Sequence, residues 1–558
     1  MEFVDSNKGK IVDDLAPVAE NDRSGRANWV SRLPIQWVVG ILLFLVALGC
    51  NFYRLGAPSI WFDEAFSVEL ARQPLPLLWH IIFGPEPNME LYYLFLHFWL
   101  SLTGLFGLNP TEFVVRFPSA IFATLSTVVL FALGRRFLGT TAACLGTLLY
   151  LLNYLQLTYA QQTRSYALQL LLLCVAWYAL FAVMHTEKNA IRWWICYCVA
   201  MILAVYAHLF SGLILLAQVV AFAGLLLLPN VWRAQARKVA KGYLLSLVVI
   251  GVLGIPMLLE SLRGPKTGWL PVPHWGDLPH LFFTISGYNR RYLLVGTVFV
   301  LLGLLALGVA YCIRFIPALA RSLRKNQWLS REVTAAQDIV PFAWSMLCWL
   351  VIPIVISYML AHGSIRLFST RYLVTVVPPL CLLFAACIAL VRWRVVQVGL
   401  MVVLVALAAT SVPLYYQSAQ VEDWNATVHW MERQYKTDDG FVCYDNEITQ
   451  GCQIAVEYYL HAYPSAAHFS PNSPGSFSWE KFGPADPAAG GYAAALDTRA
   501  LAAYAATHQR IFFIVGRVPD DAGAARVKST QQWLDTTYHF VDTISTRTVI
   551  IRLYTTQK

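Results

Sequence analysis

The sequence predicts an all-α, polytopic membrane protein that continues into a small α/β domain. Its residues are 58% hydrophobic and only 13% charged, whereas a soluble domain usually carries about 25% charged residues. About eleven apolar runs are long enough to cross a bilayer, and a polar composition returns after residue 413. The net charge of +9 comes mostly from Lys and Arg in short loops between these runs. It therefore indicates helix orientation rather than binding to nucleic acid.

The candidate spans follow from the need for about 20 mostly apolar residues in a crossing helix. They are 36–52, 113–133, 141–159, 166–185, 193–207, 209–228, 243–260, 292–313, 341–361, 371–390 and 395–413. One further apolar stretch, 91–107, is ambiguous by length alone. Its many aromatic residues and His97 are typical of a helix that lies along the membrane surface.

The distribution of positive charge favours the surface position for 91–107. The most basic connections, 229–242 and 314–340, are expected on the cytoplasmic side. Each span moves the chain to the other side of the membrane. Counting back from these loops, with the N-terminus also inside, therefore makes 53–112 a single external loop. A twelve-span alternative, in which 91–107 crosses the membrane, would place the C-terminal domain inside and several basic loops outside.

Three regions result from this topology. Residues 1–35 are expected to form a cytoplasmic disordered tail, residues 36–413 the transmembrane domain, and residues 414–558 a soluble extracytoplasmic α/β domain. In the last region we predict a helix over 423–435, strands over 440–444, 510–515 and 546–554, and a loop over 472–500. Cys443 and Cys452 are either disulfide-bonded, as an external location permits, or two free thiols.

Two adjacent carboxylates, Asp63 and Glu64, open the first external loop region. Ionisable groups next to the hydrocarbon region are costly and therefore indicate a function. The alternative is structural, because Asp63 could instead cap the N-terminus of a helix that begins there.

Further polar residues are expected on the same external face. Arg164 lies between two spans on the side where positive charge is disfavoured, and a guanidinium group can bind phosphate oxygens in pairs. Arg366 and Arg371 also fall outside. The candidate substrate contacts are Asn88, Glu90, Tyr93, Tyr159, Gln162, Tyr166 and His208. The structural alternatives are an aromatic belt for the tyrosines, a satisfied turn for His208 and lipid head-group anchors for the arginines.

These residues together resemble the membrane-bound GT-C glycosyltransferases of the protein O-mannosyltransferase and aminoarabinose-transferase type, glycosyltransferase family 39. The resemblance covers about residues 36–413 and consists of five pieces in the same order. They are Asp63-Glu64, Asn88-Met-Glu-Leu-Tyr-Tyr93, Arg116-Phe-Pro-Ser-Ala120 with Gly134-Arg-Arg-Phe-Leu-Gly139, Tyr159-Ala-Gln-Gln-Thr-Arg-Ser-Tyr-Ala-Leu168, and Tyr206-Ala-His208 with Arg371-Tyr372.

The chain departs from the family pattern in two places. Where the family often has His-Pro-Pro, this chain has Asn88-Met-Glu90, so Glu90 or Glu86 would have to replace the histidine. Where the family has Gln-Glu, this chain has Gln161-Gln162, which removes a carboxylate beside Arg164.

The resemblance implies an inverting hexosyl- or pentosyltransferase in the inner (plasma) membrane. Such an enzyme takes a sugar from a polyprenyl-phosphate donor and passes it to a lipid, glycan or protein acceptor at the external face. Asp63 and Glu64 would be the catalytic residues, and Arg164, Arg371 and Arg366 would bind the donor phosphate. No Asp-rich metal cage is visible in the sequence, which leaves a divalent metal possible without implying one.

Three other classes remain open at this point. A ligase that uses a pyrophosphate-linked lipid would also need external arginines. A transporter or flippase is disfavoured because there is no internal repeat and the polar residues cluster at one surface. A catalytically silent scaffold for cell-envelope assembly is kept open by the two departures from the family pattern.

Overall fold

The computed structural model describes residues 35–86, 88–185, 190–227, 231–261, 267, 270–312, 327–391, 393–445, 451–482, 492–517 and 521–556. The tail predicted for 1–35 lies outside the described residues except for Ile35, where the first helix begins. The basic loop 314–340 is described only from residue 327 onward.

The first three quarters of the described chain are helical. The helices are α1 (Ile35–Phe52), α2 (Phe62–Arg72), α3 (Leu75–Ile82), α4 (Glu90–Leu105), α5 (Glu112–Leu151), α6 (Tyr154–Ala160), α7 (Tyr166–His185), α8 (Ala190–Ala207), α9 (Ser211–Leu227), α10 (Val231–Ser261), α11 (Asp277–Ile285), α12 (Arg290–Cys312), α13 (Gln327–Leu360), α14 (Val377–Ala389), α15 (Arg394–Ala409) and α16 (Ser411–Ser418).

The apolar helices agree with the predicted bundle. Within the described residues, eight helices are long and apolar enough to cross a membrane, and two shorter apolar helices cover Ser211–Leu227 and Leu373–Ala389. Helix α5 supplies two segments, because Gly139 interrupts it with a left-handed φ of 79° that a glycine adopts at little cost. The described part of the chain therefore has eleven apolar segments, although one of them differs from the span expected from the sequence. Helix α7 is central, since most of its residues are buried, whereas most residues of α12 are not.

One predicted span, 141–159, is wrong as a single helix. The helix ends at Leu151, and α6 begins after Asn153. The side-chain Oδ1 of Asn153 accepts from the N–H groups of Leu155 at 3.0 Å and Gln156 at 3.4 Å. An Asn at this position satisfies N–H groups that a new helix leaves open, and the break turns the chain toward Arg164.

Helix α4 covers the stretch 91–107 that we predict to lie along the membrane surface. Its three large exposed apolar residues, Phe98, Leu102 and Leu105, follow helical spacing along one side. Tyr92, Tyr93 and Leu96 are fully buried on the other side. This two-sided pattern is what a helix at a membrane surface requires, and the position of α4 in a bilayer stays a prediction.

The C-terminal domain is built on a four-stranded sheet with the order β1-β2-β4-β3. Strands β1 and β2 are parallel, and the other two pairs are antiparallel. Its elements are α17 (Trp424–Gln434), β1 (Gly440–Tyr444), α18 (Gly451–Ala462), α19 (Thr498–Ala505), β2 (Arg510–Val515), α20 (Asp521–Thr537), β3 (His539–Ser545) and β4 (Ile550–Thr555).

The sequence predictions for this domain are confirmed in part. The first helix and the strands at 440–444 and 510–515 occur as predicted, and the last strand begins at Ile550 rather than at residue 546. Strand β3 and the helices α18, α19 and α20 were not predicted. The predicted loop 472–500 lacks strands where it is described, but it ends inside α19.

Cys443 and Cys452 form a disulfide between β1 and α18. This outcome selects one of the two alternatives left open by the sequence. The bond closes a short loop and ties α18, which packs against α2, to the edge strand β1 of the sheet. It therefore connects the sheet to the helix that carries Asp63.

Replacing both cysteines, Cys443→Ala with Cys452→Ala, is expected to lower the free energy of unfolding by about 2–3 kcal/mol, because the loop of the unfolded chain is no longer closed. Thermal unfolding in detergent measures the change. Reductant should lower the melting temperature of the wild type but leave that of the double variant unchanged. An equal effect of reductant on both proteins would contradict the prediction.

Candidate active site

A buried ion pair fixes the chain just before and after Asp63. Arg116, in the first turns of α5, donates from Nε and Nη2 to the two carboxylate oxygens of Glu64 at 2.8 and 2.7 Å. The side chains of Arg116 and Glu64 are only 3% and 1% exposed. A bidentate contact of this kind fixes the relative orientation of the two side chains and is stronger than a single hydrogen bond.

The same guanidinium group organises the backbone that precedes α2. Its Nη1 donates to the carbonyl oxygens of Leu55 at 3.1 Å and Pro58 at 2.7 Å, and its Nη2 donates to that of Ser59 at 3.1 Å. Glu64 also accepts from the backbone N–H of Thr163 at 2.7 Å. The ion pair therefore links the first loop, α5 and the Arg164 segment.

Asp63 lies in the first turn of α2 and faces two arginines. Its Oδ2 is 3.1 Å from Arg371 Nη1 and 4.0 Å from Arg164 Nη2. Trp61 occupies the N-cap position of α2, and its side chain makes no capping hydrogen bond. Asp63 thus does not have the capping role that the sequence left open, and its carboxylate is directed to the arginines instead.

The two neighbouring carboxylates differ in their access to a ligand. The side chain of Asp63 is 19% exposed, whereas both oxygens of Glu64 are enclosed and bonded to Arg116 and Thr163. A group that takes part in proton transfer must reach its reaction partner. Of the two residues predicted to be catalytic, only Asp63 has this access.

Arg164 is held in place from the side of α2. Its Nη1 donates to the backbone oxygen of Asp63 at 3.1 Å and to Ser67 Oγ at 3.0 Å. The side chain is 9% exposed, and that of Arg371 is 30% exposed. Ser67, one turn after Asp63, was not identified from the sequence, although its spacing of four residues places it on the same helix face.

Several buried polar groups near this cluster make no hydrogen bond of normal geometry among the described residues. They include Gln162 Oε1, the hydroxyl groups of Thr163 and Ser165, and four groups closer to the arginines: Arg164 Nε, Tyr93 Oη, Tyr166 Oη and His208 Nε2. The N–H of Phe210 donates to His208 Nδ1 at 3.2 Å, which leaves the proton of a neutral ring on Nε2. All four groups can therefore donate a hydrogen bond.

Aromatic rings connect these groups in a row. Tyr159 and Tyr166 have ring centroids 4.5 Å apart, Tyr166 and His208 are 5.5 Å apart, and His208 and Tyr372 are 4.9 Å apart. Tyr372 follows Arg371 directly, so the row ends beside the second arginine. Tyr372 was part of the sequence motif but was not named as a contact.

The remaining predicted residues have different positions. Glu90 is fully buried in the first turn of α4, and Gln162 accepts through its backbone oxygen from Arg164 N–H at 2.8 Å. Asn88 lies in the turn before α4 and is partly buried. Arg366 donates from Nη1 to the Leu270 oxygen at 2.6 Å and from its backbone to Thr267 Oγ1 at 3.1 Å. These contacts join Arg366 to Thr267 and Leu270 rather than to Asp63.

The C-terminal domain reaches the same region through Glu112 at the start of α5. The Oε1 of Glu112 accepts from Asn425 Nδ2 at 2.7 Å and from Tyr459 Oη at 2.9 Å, and its Oε2 accepts from Tyr463 Oη at 2.8 Å. Glu112 is 2% exposed, and these three donors meet the needs of a buried carboxylate. The domain is therefore joined to the helix that carries Arg116.

Some residues central to this geometry have no role predicted from the sequence. Arg116 lies inside an apolar run, which is itself a signal for a functional or structural charge. Glu112 and Tyr459 carry no such local signal. Among the described residues, no group of three or more His, Cys, Asp or Glu side chains is arranged to hold a metal ion.

We expect Arg116→Leu to lower the free energy of unfolding by about 3–5 kcal/mol, because Glu64 would stay buried without its partner. Thermal unfolding in detergent tests this expectation, and the exposed Arg433→Leu serves as a matched control that should change stability by less than about 0.5 kcal/mol. The double variant Arg116→Met with Glu64→Gln should be more stable than Arg116→Leu. Equal stability of Arg116→Leu and the wild type would refute the structural role.

The contact between α2 and α18 is expected to weaken as the pH rises. The hydrogen bond to Glu69, at 2.8 Å, raises the pKa of His461, and burial raises the pKa of Glu457 to about 7. Since both pKa values are higher in the folded protein, their stabilisation is present at low pH and lost as the pH rises through the folded values. Stability should therefore fall from about pH 5 to pH 7 as Glu457 ionises, and further above about pH 6.5 as His461 loses its proton.

Melting temperatures measured across this pH range check the expectation. Glu457→Gln should flatten the decline, because the amide cannot ionise, whereas the exposed Glu480→Gln should leave it unchanged. A stability that rises with pH over the same range would contradict the predicted direction of this pH dependence.

Comparison with known proteins gives one sequence match and several structural matches. Residues 93–259 match the family model described as "Dolichyl-phosphate-mannose-protein mannosyltransferase". No curated protein sequence matches the chain. The matched segment includes Tyr93, Arg116, Tyr159, Arg164 and His208, so it contains much of the cluster around Asp63.

Two solved structures with similar folds are of ArnT from Cupriavidus metallidurans. The apo structure has a TM-score of 0.53 at 14% identity, and the similarity covers 93% of this chain and 98% of that chain. The structure bound to undecaprenyl phosphate has a TM-score of 0.50 at 15% identity, with the same coverage. The fold class predicted from the sequence is thus confirmed. The chain has the GT-C fold of the ArnT structures, and over residues 93–259 it carries the sequence pattern of the dolichyl-phosphate-mannose-protein mannosyltransferase family.

Proposed function

We propose that this protein is a membrane glycosyltransferase that moves a hexose or pentose from a polyprenyl-phosphate donor to an acceptor hydroxyl group. The observation that carries the proposal is an accessible carboxylate, Asp63, facing two arginines, 3.1 Å from Arg371 and 4.0 Å from Arg164. The match to a family whose name specifies a dolichyl-phosphate-linked sugar supports it. The ArnT structure that binds undecaprenyl phosphate supports the choice of donor lipid.

The donor phosphate would bind among the arginines and the four buried donors. A phosphodiester has only acceptor oxygens, and Arg164 Nε, Tyr93 Oη, Tyr166 Oη and His208 Nε2 are all able to donate. Buried donors that make no well-formed hydrogen bond among the described residues are costly, and a phosphate would satisfy them. The charges of Arg164 and Arg371 would stabilise the phosphate, and Arg366 would act indirectly through its bonds to Thr267 and Leu270.

The reaction follows from these positions. Asp63 would accept the proton of the acceptor hydroxyl as its oxygen attacks C1 of the sugar. The bond between C1 and the phosphate oxygen breaks with inversion through an oxocarbenium-like transition state. The electron pair of that bond leaves with the polyprenyl phosphate, whose growing negative charge is stabilised by Arg164 and Arg371.

Glu64 would have a positioning role rather than a chemical one. Its oxygens are already engaged by Arg116 and the Thr163 N–H, so it fixes the segment on each side of Asp63. Glu90, Asn88, Gln162 and Tyr159 would line the substrate region, as the sequence predicts. The sugar could contact Glu90, which lies in the first turn of α4.

The active site and the C-terminal domain would face the outside of the plasma membrane. The disulfide between Cys443 and Cys452 supports this side, because such bonds persist in oxidising compartments. The exposed apolar stripe of α4 supports a position of the first loop at the lipid surface. The acceptor would then be an external glycolipid, glycan or protein.

Asp63→Asn is expected to reduce turnover by about 10²–10⁴-fold, because positioned proton transfer contributes that much. The assay follows release of undecaprenyl phosphate from undecaprenyl-phosphate donors that carry a hexose or a pentose, with membrane glycolipids and proteins as acceptors. The melting temperature should stay near that of the wild type, since asparagine has nearly the same size.

The matched control is Asp438→Asn, which removes a carboxylate in the C-terminal domain at a position with a left-handed φ that asparagine also adopts. It should retain wild-type turnover. Wild-type turnover in Asp63→Asn would contradict the proposed role of Asp63. A preference for pyrophosphate-linked over monophosphate-linked donors would point to a ligase instead.

A further inference from the structure

The helix that carries Asp63 is capped by a residue 360 positions away. Phe62 is the first residue of α2, and its backbone N–H donates to Glu422 Oε2 at 3.0 Å. Trp61 occupies the N-cap position without a side-chain cap. A carboxylate at a helix N-terminus satisfies an open N–H and interacts favourably with the helix dipole.

Glu422 is itself held firmly by the C-terminal domain. Its Oε2 accepts from Trp424 Nε1 at 2.6 Å, and its Oε1 lies 3.0 Å from Arg517 Nε. The residue is 1% exposed. Its position relative to α2 is therefore set by two further side chains, one at the start of α17 and one after β2.

The amides before α2 are bound by the same domain. The N–H of Ser59 donates to Gln420 Oε1 at 2.9 Å, and the N–H of Ile60 donates to Tyr459 Oη at 2.9 Å. The carbonyl groups of this loop are bound from the opposite side by Arg116. The loop therefore has its carbonyls fixed by the membrane bundle and its amides fixed by the C-terminal domain.

The C-terminal domain also contacts the C-terminal part of α2. His461 Nδ1, in α18, lies 2.8 Å from Glu69 Oε2, and the Glu69 side chain is 2% exposed. Contacts from the C-terminal domain thus occur at both ends of the short helix. A helix of 11 residues held at both ends has little freedom to shift along or about its axis.

We propose that the C-terminal domain is a positioning element of the active site, and that Glu422 and Tyr459 set the place of the Asp63 carboxylate. Neither residue contacts the substrate in this arrangement, so both act through the backbone of residues 60–62. The inference rests on the proposed function, because it assigns these residues to the turnover step in which Asp63 takes part.

A displacement of about 1 Å in a reacting group can reduce the rate about 10²-fold. Loss of the cap should therefore reduce kcat while leaving the phosphate-binding arginines in place. Arg164 lies just before α7 and Arg371 lies between α13 and α14, so neither arginine is part of α2, although Arg164 also donates to Ser67 and to the Asp63 backbone. The KM for the donor should consequently change much less than kcat.

The decisive variants are Glu422→Ala and Tyr459→Phe, assayed in the full-length protein with the same undecaprenyl-phosphate donors of a hexose or a pentose. Glu422→Ala removes the acceptor for the Phe62 N–H. Tyr459→Phe removes the acceptor for the Ile60 N–H, together with the donor to Glu112 Oε1, while keeping the ring that packs in the interface. Tyr458→Phe is the matched control, because Tyr458 lies next to Tyr459 but donates to the backbone oxygen of Pro110 at 2.9 Å.

We expect Glu422→Ala to lower kcat about 10–100-fold and Tyr459→Phe to lower it about 3–10-fold, with the donor KM within about 3-fold of wild type. Glu422→Gln, which keeps an acceptor oxygen for Phe62, should recover part of the loss. Tyr458→Phe should keep wild-type kcat. Since Tyr459→Phe keeps the packing, it remains a valid test even if Glu422→Ala folds poorly.

Wild-type kcat in both Tyr459→Phe and Glu422→Ala would overturn the inference, and so would a rise in donor KM at unchanged kcat. These results are separate from the test of the proposed function. If Asp63→Asn is inactive while the Tyr459 and Glu422 variants turn over normally, only the positioning role fails. If Asp63→Asn is fully active, the proposed function itself fails.

Discussion

The ion pair between Arg116 and Glu64 joins the parts of the chain that meet beside Asp63. Both side chains are almost fully buried, so neither charge can exchange its partner for water. Arg116 uses its remaining donors on the carbonyl groups of Leu55, Pro58 and Ser59. A buried charge that lacks part of its hydrogen bonding is costly, and the observed path of this loop supplies the carbonyl acceptors that the guanidinium group needs.

The neighbouring carboxylates of Asp63 and Glu64 therefore have different environments. Glu64 faces the interior and binds Arg116, whereas Asp63 is rotated by one helix position and faces Arg371 and Arg164. The first arrangement is closed and gives rigidity. The second keeps a partly accessible carboxylate between two positive charges, where a ligand with its own negative charge can join them. A firm framework around a reactive group is a general requirement for a catalytic site.

The sequence was informative wherever the physical signal is local. Hydropathy predicted the helical bundle. The alternation of sides from one span to the next predicted one face for Asp63, Arg164 and Arg371, and these three side chains lie close together in the structure. The break at Asn153 was missed, because the apolar run continues across it. Helix α18 was missed for a related reason: nearly all of its side chains are buried, so the alternation of polar and apolar residues that indicates a helix is absent.

The contacts of the C-terminal domain could not be predicted at all. Glu422, Tyr459 and Asn425 meet the first loop across 360, 399 and 366 positions of sequence. A glutamate or tyrosine in a polar segment looks the same whether it binds water or the backbone of another domain. Only the folded chain shows which N–H group it accepts from, and this part of the site therefore depends on tertiary structure.

These long separations also determine when during biosynthesis the site can form. The ribosome adds about 5–20 residues per second, so roughly 20 to 70 s pass between the synthesis of Phe62 and that of Glu422. Over that interval the helices of the bundle can enter the bilayer, but the amides of the first loop still lack the oxygens that receive them. The position of Asp63 is consequently a property of the finished polypeptide, and a chain that stops short of residue 422 would have the membrane helices without a fixed place for that carboxylate.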